Sequence, residues 1–250
     1  MSRYVRQIVT RGYETDARMR VSIGMVARYF EHVRWEAIRD RDAGVGRVFA
    51  NGGKMVIRAQ AVRVLRPIVA REEVELGLSI ARVGKTSIHF LQVARCGDEV
   101  IARNDAIAVA LDAAGRPTEV PEEVRARATG EAVELPTKVP DAPATVAYRC
   151  PVQIRYNDLD ALKHVNHSRY IDYVDEAFQH ARAAGAYAQD FSPSPGSVTV
   201  EYERETRIEA IGPERKLEVV TWQVADGALG FELIDPLDGM RVARAMIRPA

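Results

Sequence analysis

The sequence predicts an α+β protein built from two tandem copies of one plan. Each copy is a long helix wrapped by a curved antiparallel sheet, and the two pack as a pseudo-dimer. Three observations carry this. Short segments recur in order at nearly one offset: Arg28-Tyr29-Phe30 with Arg169-Tyr170-Ile171 and Ala102-Arg103 with Ala243-Arg244, both 141 residues apart, and Val74-Glu75-Leu76 with Leu217-Glu218-Val219, 143 apart. Each half holds one stretch with apolar residues at helical period. Each such stretch is followed by several runs of strand character separated by Gly, Pro and Asp, the order expected of an α+β layer.

In the first half, Tyr4 to Thr10 reads as a strand. Ser22 caps a helix with the stripe Val26, Tyr29, Phe30, Val33 and Ala37, and Gly44 and Gly46 end it. Strands follow near 55–66, 73–82, 86–95 and 99–111; Val74, Leu76, Leu78 and Ile80 alternate as a half-buried strand should. In the second half, Val146 to Tyr156 is a strand and 157–165 a loop. A helix from about His167 to Ala184 then carries Tyr170, Ile171, Val174, Ala177, Phe178 and Ala181 on one face, with Asn166 as N-cap and Gly185 as stop. Strands follow near 197–208, 217–225, 228–235 and 240–248. The Pro-, Ala- and charge-rich stretch 128–144 has no apolar period and reads as a linker between domains 1–127 and 145–250. A pseudo-dimer already meets the pairing need of a helix-and-sheet unit, so a monomer and a further homodimer are both open.

Composition excludes several function classes. The chain has 35 Lys plus Arg against 35 Asp plus Glu, so no basic excess draws it to nucleic acid or an anionic membrane. No window of about 18 apolar residues exists to span a bilayer. The polar N-terminus is no signal peptide, and two cysteines, Cys96 and Cys150, fit a reducing cytoplasm. Five histidines show no zinc-binding spacing, no phosphate-binding glycine loop occurs, and neither metal nor cofactor is expected.

The densest polar cluster is Tyr156-Asn157-Asp158-Leu159-Asp160-Ala161-Leu162-Lys163-His164-Val165-Asn166-His167, between a strand and a helix N-terminus. Unpaired N–H groups there carry partial positive charge. An acid and an imidazole beside them could polarise a carbonyl and deliver water to it. The same residue types also close turns and cap helices without any chemistry. Glu14 and Asp16 in the first half read as solvated or turn-closing.

The run Asp158-Leu159-Asp160-x-x-x-His164-Val165-Asn166, followed by Tyr170-Ile171-x-Tyr173, resembles the signature of hotdog-fold thioesterases, above all the double-hotdog acyl-ACP thioesterases. Arg11-Gly12-Tyr13-Glu14 with Ser22-Ile23 is similar to the opening of that family's first hotdog. Glu201-Tyr202-Glu203-Arg204-Glu205-Thr206 is similar to the strand of the second that supplies a Glu and a neighbouring Cys. The resemblance spans about residues 3 to 248. It implies catalytic roles for Asp160, His164 and Glu205, and departs at Leu162 (Asn in the plant enzymes), Thr206 (Cys) and His167 (Asn).

The implied activity is hydrolysis of an acyl thioester of acyl carrier protein or coenzyme A, with one active site, in the second half. The first half forms a wall of the acyl tunnel. The carbonyl is expected to meet backbone N–H groups near Val165 and Asn166. Asp160 either activates water or attacks directly, Glu205 is an alternative base, and His164 hydrogen-bonds an acid or the leaving sulfur. Two other readings stand beside this: a hotdog that only binds an acyl thioester or a partner protein, supported by Leu162 and the unmatched first half, and a hotdog hydratase or dehydratase.

Overall fold

Two amphipathic helices organise the chain, one in each of two units, Met1–Pro136 and Thr137–Ala250. The computed structural model describes residues 4–40, 43–134, 138–160, 163–187, 196–206, 215–224 and 227–249. The first unit runs β1 (Tyr4–Val9), a 3-10 turn (Gly12–Glu14), α1 (Ile23–Arg39), a second 3-10 segment (Val45–Gly52), β2 (Lys54–Val64), β3 (Glu73–Val83), β4 (Ser87–Cys96), β5 (Glu99–Leu111) and the short α2 (Glu122–Arg125). The second runs β6 (Tyr148–Gln153), a 3-10 turn (Tyr156–Asp158), α3 (Arg169–Ala183), β7 (Gly196–Tyr202), β8 (Lys216–Gln223), β9 (Leu229–Asp235) and β10 (Met240–Pro249).

The first sheet has the order β1-β3-β4-β5-β2 and the second β6-β8-β9-β10-β7, with every one of these neighbours antiparallel. The α+β plan of a helix against an antiparallel sheet therefore occurs twice. Helix α1 lies against β1, β2, β3 and β5, and α3 against β6, β7 and β8. Val26, Phe30, Val33 and Ala37 are fully buried on α1, as are Val174, Ala177, Phe178 and Ala181 on α3. Burying a side chain such as Phe30 contributes about 2–3 kcal/mol, so each stripe is a substantial part of its unit's core. The sheets share a further detail. Opposite β4, β5 carries an extra residue at Ile101, and opposite β9, β10 carries one at Val242; both are fully buried. Such bulges increase local twist and let a strand curl around its helix.

The structure corrects four expectations. The matching Arg-Tyr segments suggest a helix offset of 141, but the helices correspond at 144: buried Val26, Tyr29, Phe30, Val33 and Ala37 map onto buried Tyr170, Tyr173, Val174, Ala177 and Ala181. A three-residue slip along a helix of 3.6 residues per turn keeps nearly the same face inward, so the false match still lands stripe on stripe. Helix α1 ends at Arg39, before Gly44, whose left-handed conformation (φ 73°) instead opens the Val45–Gly52 segment. Helix α3 begins at Arg169, two residues later than expected, with Ser168 rather than Asn166 at its N-cap position. Strand β7 stops at Tyr202, which leaves Glu205 and Thr206 beyond the ladder instead of within the expected strand near 197–208.

The described parts of the 128–144 stretch carry no helix or strand but are hydrogen-bonded to the sheets. Thr129 N–H donates to the Ile80 carbonyl, Glu131 accepts from the Ser79 hydroxyl, and Glu134 N–H donates to Asp105. On the other side, Asp141 accepts from the buried Arg244, whose guanidinium also lies 2.8 Å from Glu201 and 2.9 Å from Glu203. Charges that look like a solvated tether in the sequence thus pair with charges on the strands.

Candidate active site

The site is assembled by the segment between β6 and α3. Its foundation is Asp158, the last residue of the 3-10 turn and 5% exposed. The carboxylate accepts the Arg155 N–H at 2.8 Å and the Tyr173 hydroxyl at 2.8 Å. Burial and the adjacent Asp158 charge push the Tyr173 phenol well up from its ordinary value, so it stays a donor. This fixes the turn to the second turn of α3.

From there the chain makes a tight loop. Leu159 and Val165 form an isolated antiparallel bridge. Asp160 N–H donates to the His164 carbonyl at 2.8 Å, and the Asp160 Oδ1 accepts the His164 N–H at 3.1 Å. Lys163 N–H donates to the Asp160 carbonyl, with Lys163 left-handed at φ 60°. A non-glycine residue there costs about 1–2 kcal/mol, which the surrounding bonds must offset. The loop's exit is held by Val165 N–H to the Thr206 carbonyl (3.1 Å) and Asn166 N–H to the Asp158 carbonyl (2.8 Å). The Asn166 side chain accepts from both the N–H and the hydroxyl of Ser168, turning the chain into α3.

The result brings Asp160, His164 and Glu205 together. The His164 imidazole is mostly covered, at 17% side-chain exposure, and its Nδ1 lies 3.4 Å from the Glu205 Oε2. The carboxylate of Glu205 is half exposed and that of Asp160 exposed. With Nδ1 facing a carboxylate, Nδ1 carries the proton in the neutral ring and Nε2 keeps the lone pair. Glu205 sits on backbone held on both sides. Arg204 before it grips Asp238 through two bonds of 2.7 and 2.9 Å and lies 3.6 Å from Asp235. Thr206 after it is buried and accepts a 2.9 Å bond from the Tyr170 hydroxyl. Burial pushes the Tyr170 phenol up to about 12, so it too remains a donor at neutral pH. Tyr202 packs edge-on to Tyr170 and His167 and donates to the His167 carbonyl.

The expected carbonyl donors are already engaged in hydrogen bonds within the loop. The N–H groups of Val165 and Asn166 do not point outward as carbonyl donors, because both are spent on the Thr206 and Asp158 carbonyls. A loop this tight needs those bonds to close. Leu162 lies outside the described residues. Sequence reasoning missed Asp158 as the anchor and the Tyr170–Thr206 contact, reading Tyr170 as part of the apolar stripe and of the signature but giving its hydroxyl no partner. Among the described residues no group of three or more His, Cys, Asp or Glu side chains is placed to hold a metal, and no helix is long and apolar enough to cross a membrane.

Residues 10–128 match the thioesterase-like superfamily, and residues 142–247 match the acyl-ACP thioesterase C-terminal domain. A search of curated proteins found no match. Among solved structures, the chain is similar to the 12:0-ACP thioesterase from Umbellularia californica. The TM-score is 0.75 at 21% identity, over 99% of this chain and 98% of that one. It is likewise similar to an acyl-ACP thioesterase from Bacteroides thetaiotaomicron, with TM-score 0.77 at 14% identity over 98% and 96%. At these identities the structures speak to the fold, which is the double hotdog, while the two matched regions cover the chain almost end to end. The chain belongs to the acyl-ACP thioesterase family of thioester hydrolases.

Proposed function

We propose that this enzyme hydrolyses acyl thioesters carried on acyl carrier protein, releasing a free fatty acid, and that it does so at the Asp160–His164–Glu205 cluster. The observation that carries the proposal is His164 held between two acids: its backbone N–H on Asp160 and its Nδ1 beside Glu205. That arrangement orients the imidazole with Nε2 as the proposed base. The match of residues 142–247 to an acyl-ACP thioesterase domain favours acyl carrier protein over coenzyme A as carrier.

In the proposed reaction, His164 Nε2 takes a proton from water as the water oxygen attacks the thioester carbonyl carbon. The imidazolium that forms is stabilised by Glu205. The tetrahedral intermediate collapses, the C–S bond breaks, and His164 returns the proton to the departing sulfur. General acid–base assistance of this kind contributes about 10²–10⁴-fold. In this reading the carbonyl oxygen is turned toward the positive end of the 15-residue α3 as charge develops on it. For Val165 or Asn166 to donate to that oxygen as well, the loop must first release the bond each now makes. Asp160 holds the loop that presents His164; direct attack by its carboxylate is the competing route, and the engagement of Oδ1 by His164 N–H counts against it.

The test is release of free thiol from a panel of acyl-ACP and acyl-CoA substrates of graded chain length. The expected result is turnover with a preference for the protein carrier. Binding without turnover by the folded protein overturns the hydrolytic reading of this site, and equal or better use of coenzyme A thioesters overturns the carrier assignment.

A further inference from the structure

We infer that Tyr170 and Thr206 form a hydroxyl clasp that positions Glu205 against His164. The inference rests on the proposed roles of those two residues. Glu205 is half exposed and lies three residues beyond the last residue of β7, outside the strand ladder. Arg204 anchors it on one side, and on the other side, next to His164, stands Thr206, which is gripped twice. Its carbonyl accepts the Val165 N–H at 3.1 Å, from the residue next to His164, and its Oγ1 accepts the Tyr170 hydroxyl at 2.9 Å. Tyr170 and Thr206 are 3% and 2% exposed, so water does not compete for this bond.

The first unit shows that the fold does not require it. There Val21 N–H donates to the Ile68 carbonyl, in the place of Val165 and Thr206, and Val26 occupies the place of Tyr170 on the helix. Ile68 and Val26 are both buried, and neither carries a hydroxyl. Pro67 stands where Glu205 stands, so that corner has no carboxylate to aim. The paired hydroxyls occur in the unit that has a Glu–His contact to align, and two apolar residues take their places in the unit that has none. Both are therefore positioning residues, acting through Glu205.

The experiment is a steady-state comparison of Tyr170→Phe, Thr206→Val and Thr206→Ser, each alone and combined with Glu205→Gln, on an acyl-ACP substrate. A slack catalytic group lowers kcat and leaves binding alone. The expected result is a loss of about tenfold in kcat with KM within twofold for Tyr170→Phe and Thr206→Val, and near-full rescue in Thr206→Ser. In the Glu205→Gln background, Tyr170→Phe should cost almost nothing further, because both changes remove one alignment. A merely structural role would give additive losses and no rescue by serine. Wild-type kcat in Tyr170→Phe and Thr206→Val, additive losses, or failure of serine to rescue overturns the clasp. Full activity in Glu205→Gln itself overturns instead the underlying role of Glu205, which separates the two failures. Tyr170→Phe and Thr206→Val nearly keep the side-chain volume, Thr206→Ser removes one buried methyl group, and thermal unfolding confirms that each variant folds.

Discussion

The loops that precede the two helices are the same object twice. In the second unit Asp160 N–H bonds the His164 carbonyl, and Asp160 Oδ1 takes the His164 N–H. In the first, Asp16 N–H bonds the Arg20 carbonyl at 2.7 Å, and Asp16 Oδ1 takes the Arg20 N–H at 3.0 Å. Met19 and Lys163 share the left-handed φ of 60°. Ahead of each loop a buried acid, Glu14 or Asp158, accepts a helix tyrosine, Tyr29 or Tyr173. The backbone is thus a property of the fold. What differs is side chains: Arg20 against His164, Pro67 against Glu205, Val26 against Tyr170 and Ile68 against Thr206. The comparison teaches that an aspartate closing this loop is no sign of chemistry, since Asp16 closes one that has neither imidazole nor glutamate. On the proposed function, the chemical distinction rests on residues 164 and 205.

The largest effect is expected at His164. Replacing it with Gln should lower kcat/KM by about 10³-fold, the loss of a general base, while Arg20→Gln leaves activity within twofold. Thiol-release kinetics on both variants decide it. Next comes Glu205→Gln, expected to cost about 10²-fold in kcat, because an amide no longer stabilises the imidazolium. Asp160→Asn keeps an oxygen to accept the His164 N–H, so if Asp160 serves mainly to hold the loop its cost should stay near tenfold, with about 1 kcal/mol or less of stability lost; Asp16→Asn should cost similar stability and no activity. A loss with Asp160→Asn as large as with His164→Gln would make its charge essential.

The smallest effects concern stability. Tyr29→Phe and Tyr173→Phe each leave a buried carboxylate one donor short, which costs about 1–3 kcal/mol; urea unfolding measures it, and Tyr173→Phe alone should also slow turnover. The buried phenols of Tyr29, Tyr170, Tyr173 and Tyr187 are all raised, chiefly by burial. The stability they provide is therefore fully present below pH about 10 and lost as the pH rises from there through their folded values. Melting temperatures should be steady near neutrality and fall above pH 10, less so in Tyr29→Phe.

Much of this was legible in the sequence. Helix stripes and alternating strands reflect burial, which acts residue by residue, so the α+β plan and its repetition could be read directly. The Asp160–His164–Glu205 grouping was legible only through resemblance, since no spacing rule joins residue 205 to residue 164. The rest depends on contacts that sequence does not order. The true helix offset is set by the Glu14–Tyr29 and Asp158–Tyr173 bonds, which a three-residue slip conceals. The N–H groups of Val165 and Asn166 looked available because their acceptors, the Thr206 and Asp158 carbonyls, are backbone atoms that no side-chain pattern reveals. The Tyr170 hydroxyl was hidden inside an apolar stripe that its ring also serves.

The most direct test of the central claim is to disarm each loop in turn. One variant carries Asp160→Asn, His164→Gln and Glu205→Gln together; the other carries Asp16→Asn and Arg20→Gln. Thiol release from the same acyl-ACP is followed for both, with folding checked by thermal unfolding. The account predicts no hydrolysis above background for the first and wild-type turnover for the second. Substantial hydrolysis by the first, or its loss in a folded second, would contradict it.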